Sequence, residues 1–136
     1  MSLYRAVVLR WIDGDTLDAE VDLRHGLKRH VRVRMAGVAA PETRGPQRAL
    51  GIATKQWVEL QVPAGSPIAL EDYGELEEDA FGRWLCRVAA WPAHPDVPVD
   101  VGATMIREGY AVPYEDRKTI DWAAITAWPM RGRKTP

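Results

Sequence analysis

Two stretches of strict alternation constrain this chain more than any other feature. Leu17, Ala19, Val21 and Leu23 are separated by Asp18, Glu20 and Asp22, and Val31, Val33 and Met35 alternate with Arg32, Arg34 and Ala36. A period of two marks a strand with one buried face, so both stretches are predicted to be half-buried strands, with a turn at Gly26 between them. Upstream, residues 4–11 are rich in Val, Leu and aromatic side chains and stop at Asp13-Gly14. That dipeptide is a turn signal, so the segment reads as a strand entering a hairpin. Three successive antiparallel strands make a meander.

After Pro41 the period changes. Pro46 suits the first turn of a helix, and Leu50, Ala53, Trp57 and Leu60 recur at spacings of three, four and three. This predicts an amphipathic helix ending before Pro63. Residues 67–71 and 83–90 read as two more strands, joined by the acidic stretch 71–79, itself read as a solvated loop. Pro92, Pro95 and Pro98 hold an extended connection. Asp100 can cap a short helix carrying Val101, Met105 and Ile106, with Gly109 as its terminator. After Pro113, residues 119–128 are expected to form a short last helix with Trp122 and Ile125 facing inward. Five strands with a helix between the third and fourth is the layout of an OB-fold barrel. The expected fold is therefore α+β, mainly β: a five-stranded OB-fold barrel with about three short helices. Residues 1–128 are read as one domain and 129–136 as a flexible basic tail.

Composition limits the functions open to such a barrel. With 136 residues, 46% hydrophobic and 27% charged, one core is the default. A formal net charge of -1 excludes coating duplex nucleic acid by sheer basicity, so phosphate recognition must be local. The charge is uneven: residues 1–50 carry nine basic and six acidic side chains, residues 51–136 nine and thirteen. The single cysteine, Cys86, allows no internal disulfide and fits a reducing compartment. Without a secretory leader or an apolar run near the ~20 residues that span a bilayer, the chain is expected to be cytoplasmic or otherwise intracellular, and monomeric. His25, His30 and His94 have no ligand spacing and are expected on exposed loops or strand edges. Trp57, Trp84 and Cys86 read as core residues.

Three segments remain: WIDGDTL (residues 11–17), RVRMAGVAAPET (32–43) and FGRWLCRV (81–88). In this order and separation they resemble the staphylococcal (thermo)nuclease-like family of calcium-dependent phosphodiesterases built on an OB barrel. The segment VDVGATMIREGYAVPY (99–114) is similar to the family's second helix and the tyrosine-bearing turn after it. The resemblance implies a calcium-dependent endonuclease or phosphodiesterase that hydrolyses single-stranded or frayed DNA or RNA. It assigns Asp15 to the metal, Arg34 and Arg83 to the phosphate, and Glu42 to the attacking water. Two guanidinium forks can hold a phosphodiester bidentately and stabilise the charge that builds on phosphorus. A glutamate can accept a proton from water at neutral pH.

The chain also departs from the family. Where the family reads GIDAPET or VDTPET, this chain reads GVAAPET, which places Ala39 at the second calcium carboxylate. The backbone carbonyl of Ala40 remains as a ligand, and Asp13 is the nearest compensating carboxylate. Loss of one carboxylate should weaken a Ca²⁺ site, or one for another divalent metal, since affinity tracks ligand charge. At the family's substrate-binding lysine and tyrosine stand Ala80 and Phe81, and Tyr114 aligns with a base-stacking tyrosine. A second expectation follows from Ala39: a catalytically inactive domain that binds nucleic acid or protein. An oligosaccharide binder has no support beyond the barrel itself.

Overall fold

The computed structural model describes residues 2–72, 82–125 and 127–130. Strands β1 (Ser2–Asp13), β2 (Thr16–Asp22) and β3 (Lys28–Met35) form the predicted meander. The two-residue strand β4 (Val38–Ala39) leads to helix α1 (Arg48–Gln61), which follows a 3-10 turn at Gly45–Gln47. Strands β5 (Pro67–Asp72) and β6 (Trp84–Ala90) complete the barrel. The sheet runs β3-β2-β1-β5-β6, and a parallel pairing of β3 with β6 at Val33–Trp84, Arg34–Leu85 and Met35–Cys86 closes it. Closure leaves the inner face to one core, containing Val8, Leu17, Val21, Val33, Met35, Leu70 and Val88. The fold is thus a five-stranded OB-like barrel with two α-helices and 3-10 turns.

Short strand β7 (Val99–Asp100) pairs with β6 and runs into helix α2 (Val101–Arg107). The Asp100 carboxylate caps this helix, accepting from the Ala103 amide at 2.9 Å. The last strand, β8 (Val112–Pro113), pairs with β4. Among the described residues no helix is long and apolar enough to cross a membrane. Cys86 is buried in β6, and burial pushes its thiol up to about 11. His25, His30 and His94 are all exposed.

Three expectations need correction. Leu23 is 39% exposed, because β2 ends at Asp22 and Leu23 already belongs to the turn, its amide donating to the Leu27 carbonyl at 2.9 Å. Helix α1 buries Gly51, Thr54 and Val58, whereas Leu60 is 81% exposed. Its inward face is offset from the apolar stripe because neighbouring backbone approaches too closely for large side chains. A Cβ on Gly51 would run into the Glu42 carbonyl, and one on Gly14 into the Thr54 methyl. Trp57 instead stacks on Tyr110, with ring centroids 4.6 Å apart.

The expected last helix is the third correction. Among the described residues of this segment only a 3-10 turn at Trp122–Ala124 forms, and Ile125 leaves it in an extended conformation (φ -78, ψ 117). Trp122 and Trp128 meet edge-on at 5.8 Å. Positions six apart rise about 9 Å along an α-helix and point to different sides, so that contact selects a folded-back path. Trp122 and Ile125 are half-buried. Most of the acidic stretch, with Ala80 and Phe81, lies outside the described residues, as do positions 131–136.

Candidate active site

The site forms where the β1–β2 hairpin, the end of β3 and the turn before α1 meet. The hairpin closes with Asp13 opposite Thr16, and Thr16 faces Arg34 on β3. This register brings the Asp15 carboxylate to the end of the barrel, where it is 8% exposed. Its Oδ1 accepts from the Thr16 hydroxyl at 3.0 Å and its Oδ2 from the Ala40 amide at 2.9 Å. Arg34 Nη2 lies 3.5 Å from the same Oδ2, with both side chains 12% exposed. Arg34 Nη1 donates to the Met35 carbonyl at 2.8 Å, and its guanidinium carbon sits 5.4 Å from the centre of the Tyr114 ring. Backbone, carboxylate and ring thus fix the guanidinium from three directions.

Glu42 is held by its backbone and keeps its side chain exposed. Its amide donates to Gln47 Oε1 at 3.0 Å, while Gly51 admits its carbonyl against α1. Next to it, Thr43 anchors the turn to the hairpin: its hydroxyl donates to Asp13 Oδ1 at 2.6 Å and its amide to the same oxygen at 3.4 Å. Asp13 is therefore a tie between two loops. Arg83, half-buried, immediately precedes β6, the strand paired with β3, and lines the same place.

These groups surround one cavity of about 500 Å³, whose walls include Asp13, Asp15, Arg34, Ala40, Glu42 and Arg83. Ala39 also lines it, and its side chain is a methyl group with no carboxylate to offer. Six residues singled out from sequence are thus brought together. Tyr114 is not on the wall but touches Arg34 from behind, and Phe81 falls outside the described residues. Sequence reasoning missed Arg117 and Trp122, which also line the cavity. The one signal for Arg117 was its position three residues after Tyr114; Trp122 was misread through the helix assigned to its segment.

The donor set can be tested for a hard cation, which prefers six to eight oxygens and draws affinity from carboxylate charge. Asp15 supplies one carboxylate, both of whose oxygens already accept hydrogen bonds, and Asp13 Oδ1 is engaged by Thr43. Ala39 supplies no side-chain oxygen. Among the described residues no three His, Cys, Asp or Glu side chains gather as a metal-binding set. The residues present do not fit a tight Ca²⁺ cage.

A sequence profile of the family described as "Staphylococcal nuclease homologue" matches residues 32–126. The chain belongs to that family. Among its relatives, Protein ParB of Escherichia coli is 34% identical over 115 residues, covering 81% of this chain and 57% of its own length. Micrococcal nuclease of Shigella flexneri is 32% identical over 120 residues, covering 82% of this chain and 59% of its own. The chain therefore spans somewhat more than half the length of these relatives. The matched span runs from β3 through the turn before α1 to the segment after β8 and so contains Arg34, Glu42 and Arg83.

Proposed function

We propose that this chain is a nuclease-fold phosphodiesterase acting on single-stranded or frayed DNA or RNA. The observation that carries this reading is the convergence of Arg34, Arg83 and Glu42 on a single cavity. Two guanidiniums entering from β3 and from the start of β6 can bracket one phosphodiester and stabilise the charge that accumulates as water adds to phosphorus. Neither can serve as a base at neutral pH. Glu42, exposed on its anchored turn, accepts a proton from the attacking water. A new bond forms between that water oxygen and phosphorus, the ester bond to the leaving oxygen breaks, that oxygen takes a proton from solvent, and the products are a phosphate monoester and an alcohol. Asp15 steadies Arg34 in the buried wall.

Ala39 favours a second reading, a domain that binds nucleic acid without cleaving it. The two readings part in one experiment: single-stranded DNA and RNA incubated in Ca²⁺, Mg²⁺, Mn²⁺ or EDTA with the parent chain, Glu42→Ala and Ala39→Asp. Cleavage by the parent that Glu42→Ala abolishes supports the enzyme. An inert parent beside an active Ala39→Asp variant would overturn it and leave the binding reading.

A further inference from the structure

One wall of the cavity does not come from the barrel. Arg117 and Trp122 belong to the segment after β8, and both line the cavity. An aromatic chain pins this segment to α1: Trp57 stacks on Tyr110 at 4.6 Å, Tyr110 meets Trp128 edge-on at 6.4 Å, and Trp128 meets Trp122 edge-on at 5.8 Å. The Met130 amide donates to the Gly109 carbonyl at 2.8 Å and fastens the end of the strap. Asp121 accepts from the Ala123 amide at 3.1 Å and sets the turn that carries Trp122.

Arg117 is held by neutral groups. Its guanidinium carbon lies 3.8 Å from the centre of the Tyr114 ring, and its Nη1 donates to the Tyr114 carbonyl at 3.0 Å. These contacts fix its direction without cancelling its charge. They also cover one face of the Tyr114 ring, so a base cannot stack there. Among the described residues that line the cavity, the aromatic one is instead Trp122.

We propose that this strap forms a nucleotide subsite, in which Trp122 stacks the base adjoining the reacting phosphodiester and Arg117 pairs with the next phosphate. The inference rests on the function proposed above and narrows its substrate to an unpaired strand, since a stacking surface needs a base free of its duplex partner. A cation and an indole on the wall of a cavity that also holds Arg34 and Arg83 match the alternation of charge and flat ring along a polynucleotide. A free phosphate would gain nothing from the indole.

The test is fluorescence anisotropy of a labelled thymidine octamer and a matching abasic octamer, in EDTA, with the full chain. Trp122→Ala is expected to weaken binding of the thymidine octamer about tenfold or more, with Trp122→Phe recovering most of the loss. The abasic octamer should bind parent and Trp122→Ala alike. Arg117→Gln should lower the dependence of log affinity on log salt by about 0.7, with Arg117→Lys restoring it. Equal binding of the thymidine octamer by parent and Trp122→Ala would overturn the subsite, as would equal losses on both octamers. Failure of the parent to bind either octamer would overturn the proposed function as well.

Discussion

The cavity and the outer face of the meander use the same residue types for opposite ends. On the outer face, Asp18 on β2 lies between two arginines: Arg32 at 2.8 Å on β3 and Arg10 at 2.8 Å on β1. Two residues along, Glu20 takes His30 at 3.0 Å and Lys28 at 3.5 Å. Each of these basic side chains faces a carboxylate across the ladder, the arrangement that suits cross-strand pairs in a solvated sheet. In the cavity, Arg34 shares its carboxylate, 3.5 Å away, with the Thr16 hydroxyl and the Ala40 amide, and Arg117 has a ring and a carbonyl for partners. The outer face pairs its basic side chains with carboxylates one by one, whereas the cavity wall includes an arginine, Arg117, held by neutral groups. Local pairing, not the count of basic residues, separates scaffold from anion site.

The largest expected effect tests that separation directly. Arg34→Gln is expected to lower the rate of phosphodiester cleavage by about 10²–10³-fold, as loss of a donor to a developing oxyanion does. Glu42→Ala should lower it by about 10²–10⁴-fold. Arg32→Gln, only two residues from Arg34 but paired to Asp18, should leave the rate within about twofold. Single-turnover cleavage of a labelled oligonucleotide measures all three, and a loss with Arg32→Gln equal to that with Arg34→Gln would erase the distinction between the two regions.

An intermediate effect concerns how the cavity is shaped. Gly51→Ala would ordinarily favour a helix by about 1 kcal/mol. Here the added methyl meets the Glu42 carbonyl, which is backbone and cannot swing aside. Overpacking, worth about 1–3 kcal/mol, should win. Thermal unfolding is expected to shift down by several degrees, and cleavage should fall with it because the Glu42 turn is displaced. An unchanged melting temperature would show that the turn yields more easily than its anchors at Thr43 and Gln47 suggest.

Much of this was legible in the chain itself, for a physical reason. The meander is written in alternation, and the site in short motifs whose neighbours in sequence are neighbours in space. Leu17, Ala19, Val21, Val31, Val33 and Met35 are buried as the period requires. What escaped depends on contacts between distant segments. Gly51 and Thr54 face inward because a loop presses on α1, which no periodicity records. The two-residue strands β4 and β8 exist only through each other, pairing Ala39 with Val112. Arg117 and Trp122 reach the cavity through an aromatic chain anchored at Trp57, more than fifty positions upstream. A helix assigned to residues 119–128 hid Trp122 because it assumed local order where a long-range contact decides the path.

The smallest expected effect lies on the outer face and has a definite sign with pH. The Arg32 guanidinium, bonded to Asp18, holds that carboxyl below its ordinary 3.8 with help from Arg10, against the opposing effect of burial. A carboxyl whose folded value is depressed contributes stability above its unfolded value and loses it as pH falls through the folded one. The side chain is 18% exposed, so the contribution should be near the upper end for surface pairs, about 1 kcal/mol. Asp18→Asn should therefore unfold at lower denaturant than the parent at pH 7, with the gap closing as pH falls below 3.8. Raising salt should narrow the gap at neutral pH, since the pair is partly open to solvent. Cleavage should not change, because the variant leaves Arg34, Glu42 and Arg83 in place. A gap independent of pH would mean that Asp18 acts through packing, and the outer face would then not be the self-neutralised ladder contrasted with the cavity.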